Sequence, residues 1–255
     1  MKRVLTALLL FPVITYVVLW APQWAVWGVT SLVAVLCYYE FAAIAAAYGI
    51  GKLGPLGYAV GLLIMAVPEK IGWFVTGAAP IALSVALRAD DLRKGVARAA
   101  FTLLGVVYIF GCWQFALLLR ARNRYWLMFA LVLNWIGDIG AYYVGRAIGR
   151  HKLAPVVSPG KSWEGSAASL AASLLFGYFF LAWALPEIPA ATRLALAAGG
   201  NVAGQFGDLC ESALKRGAGV KDSGTLLPGH GGMLDRVDST LFTLPLIYWI
   251  VTAHW

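Results

Sequence analysis

Charged residues are scarce in this sequence. Asp, Glu, Lys and Arg make up 13% of the 255 residues, about half their usual share in a soluble domain, and only 12 residues are acidic. Hydrophobic residues make up 61%, and the mean hydropathy is +0.76. This composition excludes an ordinary soluble protein and indicates a chain that lies in a lipid bilayer.

Several patterns that mark other protein classes are also absent. No ten-residue segment alternates as a membrane β-strand does, so the expected architecture is helical. The three cysteines, Cys37, Cys112 and Cys210, have no metal-binding or disulfide spacing. No basic domain for nucleic acid is present, and a net charge of +8 is accounted for by basic loops facing anionic lipid headgroups.

The hydrophobic runs predict an all-α polytopic membrane protein with about nine transmembrane helices. Six runs have about the 20 apolar residues that cross the hydrocarbon core as helix, and three are shorter. The long runs are 4–20, 25–47, 97–119, 125–144, 167–185 and 194–210, and the short ones are 54–67, 71–87 and 240–253. We expect the first run to be an uncleaved span rather than a signal peptide.

The distribution of basic residues predicts a cytoplasmic N-terminus. With nine spans and this orientation, 15 of the 20 Lys and Arg residues fall in cytoplasmic segments. The cluster Arg120, Arg122 and Arg124 falls outside and has no explanation in this topology. Residues 1–120 form an N-terminal region of apolar helices, and 121–255 form a C-terminal region with cytoplasmic loops at 146–166 and 213–238.

Most of the acidic residues occur in the C-terminal region, within or beside its apolar runs. Carboxylates there are costly unless they are paired, hydrated or bound to a cation, so the cluster predicts a functional site. Asn201, Gln205, Asp208 and Ser212 follow helical spacing and share one face. Asn134 and Asp138 are likewise four apart. For the amides, hydrogen bonding between helices is an equally good explanation.

The stretch 212–238, SALKRGAGVKDSGTLLPGHGGMLDRVD, combines glycine, basic residues and aspartates. Its six glycines and Pro228 preclude a continuous helix and let the backbone approach a ligand. Asp235 and Asp238 lie at the expected start of the last helix. Basic residues beside carboxylates suggest a polyphosphate bridged by Mg²⁺. The alternative is a solvated loop with a helix cap at Asp235.

A second loop, SPGKSWEG at 158–165, repeats this chemistry. Gly160-Lys161-Ser162 superficially suggests a P-loop, but Pro155 stands where that motif needs glycine. Ser162 is the expected cap of the following helix, which is compatible with phosphate binding. His230, in the first loop, is either a base, a phosphate donor or a structural histidine.

Residues 212–238 resemble the signature of the phosphatidate cytidylyltransferase family, also called CDP-diacylglycerol synthases. The segments SPGKSWEG, GDLCES and GDIGAYYVGR are also similar to that family, so the resemblance covers about residues 130–240. It implies an integral membrane enzyme that converts CTP and phosphatidic acid into CDP-diacylglycerol and pyrophosphate. It also implies Mg²⁺, leaves a second cation open, and suggests a homodimer in the inner (plasma) membrane with its active site on the cytoplasmic face.

On this resemblance, candidate roles can be assigned to individual residues. The metal ligands would be Asp208, Asp235 and Asp238, with Asp222 and Asp138 as further candidates. The residues assigned to catalysis are these three aspartates with Lys221 and Arg236. The residues assigned to substrate binding are Ser158, Lys161, Lys215, Arg216, Asp222, His230, Gly231 and Gly232. Which basic residue binds which phosphate stays open.

Two other functions are compatible with the same residues. A CTP-dependent polyprenol or phytol kinase would transfer the γ-phosphate of CTP instead of CMP. A membrane transporter of an anionic solute would also place polar residues inside spans, but it would carry out no chemistry.

Overall fold

The computed structural model describes residues 2–87, 91–226 and 231–254, with side chains from residue 11 to residue 253 of these ranges. Helices dominate, as predicted. The described α-helices are α1 (Lys2–Leu19), α2 (Gln23–Ala47), α3 (Leu56–Ala66), α4 (Ile71–Ala86), α5 (Leu92–Gly105), α6 (Gly111–Arg122), α7 (Arg124–Ile148), α8 (Trp163–Ala184), α9 (Ala190–Gly217) and α10 (Asp238–His254). Short 3-10 helices cover Pro68–Lys70 and Leu234–Arg236, and a π-helical segment, Val106–Phe110, joins α5 to α6.

One feature departs from the all-helical prediction. Strands β1 (Lys152–Ala154) and β2 (Ser158–Ser162) pair antiparallel, with Lys152 opposite Ser162. Strands of three and five residues are too short to show a period-2 hydrophobic pattern, so the sequence carries no signal for them.

Four helices among the described residues are long and apolar enough to cross a membrane. They are Gln23–Ala47, Leu92–Arg122, Arg124–Ile148 and Trp163–Ala184, and Leu56–Ala66 is a shorter apolar helix. Large apolar side chains on these helices are exposed, including Trp24 at 76% and Trp183 at 71%. Exposed apolar surface of this kind suits contact with lipid. The chain is therefore a membrane protein, whereas nine spans and a cytoplasmic N-terminus stay predictions.

The chain divides into two compact units. Unit 1 comprises Met1–Leu118 and Leu214–Val237, and unit 2 comprises Leu119–Ala213 and Asp238–Trp255. The described part of the glycine-rich loop, residues 218–226 and 231–237, therefore packs with the N-terminal helices, although it is separated from them by about 100 residues of sequence.

Unit 1 has an aromatic core. Tyr38 of α2 contacts Tyr58 of α3 at 4.7 Å and Phe110 at 5.5 Å between ring centroids. Glycines permit this packing, because a Cβ at Gly57 would collide with Tyr38 and one at Gly61 with Phe110. The close approach of α3 to its neighbours thus depends on residues without side chains.

Unit 2 is built around the packing of α7 against α8. At Gly140, an added Cβ would lie 3.0 Å from the Ala168 carbonyl oxygen, so the two helices approach closely there. Nearer the start of α7, Phe129 stacks with Phe176 and Phe180 of α8 at centroid distances of 6.3 and 6.2 Å. Small residues and stacked rings are both ways of packing helices in lipid, where burial of apolar surface provides little driving force.

Side-chain caps mark where α7 and α8 of unit 2 begin. Asn123 accepts a hydrogen bond from the Tyr125 amide at the start of α7, and Ser162 accepts one from the Gly165 amide at the start of α8. Each cap satisfies one backbone N–H that has no partner inside its helix. The predicted role of Ser162 as a cap is confirmed.

Candidate active site

Unit 2 contains a cavity of about 510 Å³, a size typical of small-molecule sites. It is formed by α7, β1, β2, α8, α9 and the first turn of α10. Its charged lining residues are Asp138, Arg146, Lys161 and Asp208. Three of these four side chains were predicted as site residues, and the fold brings them together from separate parts of the sequence.

Lys161 and Asp208 form an ion pair at the cavity. Lys161 Nζ lies 2.5 Å from Asp208 Oδ2, and both side chains are about one-third exposed. Asp208 Oδ1 also accepts a hydrogen bond from Ser212 Oγ at 3.3 Å, one helical turn further along α9. A cation and an anion on one cavity wall can engage a phosphate and a metal ion at the same time.

A series of hydrogen-bonded polar side chains, the polar ladder, connects α8 to α9 beside this ion pair. The Asn201 amide nitrogen donates to Ser169 and Ser173, each at 2.9 Å, and the Gln205 amide nitrogen donates to Asn201 Oδ1 at 2.6 Å. Ser166 Oγ donates to Gln205 Oε1. Asn201 and Gln205 thus do both things that the sequence left open, because they bond between helices and also line the cavity.

Asn134 anchors the other side of the cavity to α10. Its amide nitrogen donates to Thr240 Oγ1 at 3.4 Å, and its oxygen accepts from Thr243 Oγ1 at 3.1 Å. Buried polar groups of this kind are satisfied by one another, so they hold the cavity wall in one arrangement.

The β-hairpin presents Lys161 to the cavity. Glu164, in the first turn of α8, accepts a hydrogen bond from the His151 backbone amide at 3.2 Å and contacts His151 Nδ1 at 2.7 Å. These contacts join the residue before β1 to the helix after β2. The short hairpin is therefore closed at its base, and Lys161 is held near the start of α8.

In unit 1, the fold brings together two further predicted site residues, Lys215 and Asp235. Lys215 Nζ lies 2.5 Å from Asp235 Oδ1. Asp235 also accepts from the backbone amides of Ser223, at 3.0 Å, and Gly232, at 2.9 Å. One carboxylate thus joins the end of α9 to both sides of the glycine-rich loop.

The environment of Asp235 determines its ionisation. Burial by itself would raise the pKa of this carboxyl, but the hydrogen bond and charge of Lys215, with the Gly232 and Ser223 amides, lower the pKa below its ordinary value. Asp235 is therefore ionised at neutral pH, as an ion pair with Lys215 requires.

Glu40 of α2 is a second carboxylate on this loop. It is 1% exposed and accepts hydrogen bonds from Ser223 Oγ at 2.8 Å and from the backbone amides of Met233 and Leu234 at 3.0 and 2.8 Å. The sequence analysis missed this residue. A signal existed, since Glu40 is the one acidic residue in the 25-residue apolar helix α2.

The remaining predicted residues lie as follows. In unit 1, Lys221, Asp222, Arg216 and Arg236 are exposed, and Arg216 donates to the Val220 carbonyl at 3.2 Å. Gly231 has a positive φ of 80°, and an added Cβ there would lie 3.0 Å from Asp235 Oδ2.

In unit 2, Ser158 begins β2 and is half-buried. Asp238 begins α10, is 8% exposed, and accepts from the Ser239 amide at 2.7 Å. His230 lies outside the described residues.

The donor chemistry of the cavity fits Mg²⁺ bound together with a substrate. No group of three or more His, Cys, Asp or Glu side chains in the described part of the chain is placed to hold a metal ion. Asp138 and Asp208, however, both line the cavity. Mg²⁺ commonly takes one or two protein carboxylates and completes its octahedron with phosphate oxygens and water. The ligand set Asp208, Asp235 and Asp238 stays a prediction.

Two sets of cavity residues were missed by the sequence analysis. Ser166, Ser169 and Ser173 follow spacings of three and four along α8, a pattern that marks one helix face. Arg146 ends the family-like segment GDIGAYYVGR and was given no role, but it lines the cavity and donates to Tyr142 Oη at 2.8 Å.

Comparisons with known proteins identify the family of this chain. A model of the cytidylyltransferase family matches residues 1–254. A phosphatidate cytidylyltransferase of Staphylococcus saprophyticus is 37% identical over 196 residues, which cover 74% of this chain and 75% of that protein. One from Bacillus subtilis is 42% identical over 154 residues, covering 59% and 57%. One from Staphylococcus aureus strain COL is 37% identical over 197 residues, covering 74% and 75%. These matches confirm the resemblance drawn from residues 212–238, and the chain belongs to the cytidylyltransferase family.

Proposed function

We propose that this protein transfers CMP from CTP to phosphatidic acid, giving CDP-diacylglycerol and pyrophosphate in phospholipid biosynthesis. The observation that carries the proposal is the cavity of unit 2, where a lysine, an arginine and two carboxylates meet in a membrane protein of the cytidylyltransferase family. The curated relatives named above carry the same activity in their names.

The reaction joins two polyanions. A phosphate oxygen of phosphatidic acid attacks the α-phosphorus of CTP and forms a P–O bond. The bond from that phosphorus to the bridging oxygen of the β-phosphate breaks, and pyrophosphate leaves with the electron pair. The attacking phosphate is already a nucleophile, so the protein mainly has to position the reactants and offset their negative charge.

The residues of unit 2 suit these two tasks. Lys161 and Arg146 can each donate charge-assisted hydrogen bonds to phosphate oxygens. Asn201 and Gln205 also line the cavity and offer it uncharged polar groups. In the predicted set, Lys215, Arg216, Lys221 and Arg236 supply further positive charge for the triphosphate and the lipid phosphate.

Mg²⁺ belongs to the same proposal. When bound with CTP, Mg²⁺ neutralises charge on the phosphates and raises the electrophilicity of phosphorus. Asp208 and Asp138 would hold it in unit 2, and the sequence adds Asp238 and Asp235 as ligands. Ion pairing of Asp208 with Lys161 is compatible with this role, since its Oδ1 accepts only one neutral hydroxyl in the described contacts.

We further propose nine spans in an inner (plasma) membrane, with the N-terminus and the active site on the cytoplasmic side. The charge distribution supports a cytoplasmic N-terminus, and a cytosolic supply of CTP requires an active site that faces the cytoplasm. The number of spans depends on helices such as Leu56–Ala66. Its 11 residues extend about 16 Å, about half of the hydrocarbon thickness. Topology reporters fused at each terminus test this count: termini on opposite sides agree with nine or another odd number of spans, and termini on one side contradict nine. A homodimer is expected to appear in light scattering of the detergent-purified protein.

The direct test follows the label of CTP in purified protein supplied with phosphatidic acid and Mg²⁺. With [α-³²P]CTP, label is expected to enter the lipid phase in the wild type. Asp208→Asn should reduce that transfer about 100-fold or more, the scale of losing a key electrostatic group. Glu187→Gln, an exposed carboxylate in the same unit, is the matched control and should leave the rate unchanged.

Related measurements on the purified protein separate the alternative functions. A lipid kinase would move label from [γ-³²P]CTP into an added prenol and leave CDP in water. A transporter would take up an anionic solute into vesicles and consume no CTP. Either result would replace the cytidylyl-transfer proposal.

A further inference from the structure

Glu40 is a buried carboxylate that the proposed chemistry does not use. It lies in the membrane-spanning helix α2, seven residues before the helix ends, and is 1% exposed. Acidic side chains in such helices are costly to bury and are retained when a specific partner satisfies them. The partners of Glu40 therefore indicate what it does.

Among the described residues, three donors contact Glu40, and all three belong to the glycine-rich loop. Its Oε1 accepts from the Met233 amide at 3.0 Å, and its Oε2 accepts from the Leu234 amide and from Ser223 Oγ, both at 2.8 Å. Two of the three donors are backbone groups, so Glu40 holds the path of the chain rather than one side chain. These two amides immediately precede Asp235, which is paired with Lys215.

Ser223 connects Glu40 to Asp235. Its hydroxyl donates to Glu40, while its backbone amide donates to Asp235. Two segments of the loop, at 223 and at 232–234, thus donate hydrogen bonds to Glu40 and Asp235, and Ser223 donates to both carboxylates. Moving either carboxylate would shift the backbone that carries the other.

Two glycines of the loop are explained by Glu40. An added Cβ at Gly224 would lie 2.5 Å from Glu40 Oε1, and one at Gly232 would lie 2.0 Å from Ser223 Oγ and 2.5 Å from Glu40 Oε2. Real Cβ atoms do not approach oxygen this closely. Part of the glycine pattern of 217–232, which the sequence analysis attributed to ligand access, therefore makes room for a carboxylate of α2.

We propose that Glu40 is a positioning residue for the cytidylyl transfer. It acts through residues 223 and 232–236 of the glycine-rich loop and not by contact with either substrate. The carboxylate orients the Met233 and Leu234 amides and thereby fixes the backbone around Asp235 and the adjacent Arg236. This inference rests on the proposed function for its effect on turnover, but its effect on the loop stands independently.

The variant Glu40→Gln tests this role with little change in side-chain size. Glutamine has one acceptor oxygen, and its NH₂ group opposes one of the three donors. A second variant, Ser223→Ala, removes only the hydroxyl donor and keeps the amide bond to Asp235. The matched control is Glu69→Gln, an exposed glutamate of unit 1 outside the loop contacts.

Two measurements are made on each full-length, detergent-purified protein. The first is kcat and KM for CTP. The second is residue-resolved hydrogen exchange without substrate, comparing the Met233 and Leu234 amides with amides of α8. For Glu40→Gln we expect kcat to fall about 10-fold or more, and the two loop amides to exchange about 10-fold faster or more. Exchange in α8 should not change. Ser223→Ala should change kcat and the exchange rates in the same direction by smaller factors. These factors should be smaller still when Glu40→Gln is already present.

Three outcomes would overturn the proposal. Unchanged exchange at 233 and 234 in Glu40→Gln would show that the carboxylate does not hold the loop. Faster exchange with an unchanged kcat would show that the loop path does not matter for turnover. Faster exchange throughout the protein, including α8, would assign Glu40 to general stability. If the wild type transfers no CMP, the proposed function fails, while the exchange data still decide whether Glu40 holds the loop.

Discussion

Lys215 and Asp235 form an ion pair that joins the last turn of α9 to the 3-10 helix at Leu234–Arg236. Their charged atoms are 2.5 Å apart, and each side chain is 10% exposed. The pair closes a loop of 20 residues, and Asp235 at its end also accepts two backbone amides. The segment that carries the family signature is therefore held by an internal charge pair.

Breaking this pair should destabilise the protein. In Lys215→Met, the Asp235 carboxylate stays buried without its cation, which typically costs about 3–5 kcal/mol. We expect a clear decrease in the thermal unfolding temperature in detergent. Lys52→Met, at an exposed lysine of the same unit, should change the free energy of unfolding by less than about 0.5 kcal/mol. Equal unfolding temperatures for the two variants would contradict a structural role for the pair.

The lowered pKa of Asp235 predicts a dependence of stability on acid pH. Its folded pKa lies below that of the unfolded chain, so its contribution to stability is complete above the unfolded value of about 3.9. That contribution is lost as the pH falls through the folded pKa. We expect Asp235→Asn to weaken the decrease in unfolding temperature measured between about pH 5 and pH 3. A pH profile identical to that of the wild type would assign the acid sensitivity to other carboxyls.

Arg146 should contribute to nucleotide or lipid binding at the cavity. Replacing it with Met removes a charge-assisted donor, which should raise KM for CTP or for phosphatidic acid about 10-fold or more. Arg150→Met is the control, because Arg150 is exposed one turn further along the chain and does not line the cavity. Steady-state kinetics with each substrate varied in turn identifies which phosphate Arg146 binds. No change in either KM would place both substrates away from Arg146.

Removal of divalent metal should stop turnover. We expect excess EDTA to abolish CMP transfer and added Mg²⁺ to restore it, because the two reacting polyanions repel each other without a cation. Asp208→Asn should require a higher Mg²⁺ concentration for half-maximal rate, if any rate is measurable. Full activity in EDTA would exclude the magnesium proposal and assign charge neutralisation to the basic residues alone.

Several features of the site followed from the sequence for identifiable reasons. Asn201, Gln205 and Asp208 were placed on one face because helical geometry repeats every 3.6 residues, and the structure confirms that all three line one cavity. Ser162 was expected to cap α8, because a serine immediately precedes the helical run. Both inferences depend only on residues that are neighbours along the chain.

Glu40 shows where such inference ends. It lies 183 residues before Ser223, and no local pattern connects an acid in an apolar helix to a distant glycine-rich loop. The glycines at 224 and 232 were interpreted as space for a ligand. The sequence could not show that a carboxylate from α2 occupies that space. The β-hairpin was missed for a different reason, since its strands are too short for a periodic signal.

The sequence by itself determined that this is a helical membrane protein of the cytidylyltransferase family, because composition, run length and a signature of charged residues are properties of the linear chain. Only the tertiary structure decided which charges are paired. It joined Lys161 to Asp208, Lys215 to Asp235, and Glu40 to the loop amides. A buried charge or polar group needs a partner within about 3 Å, and folding brings that partner from a distant part of the chain as readily as from a neighbouring one.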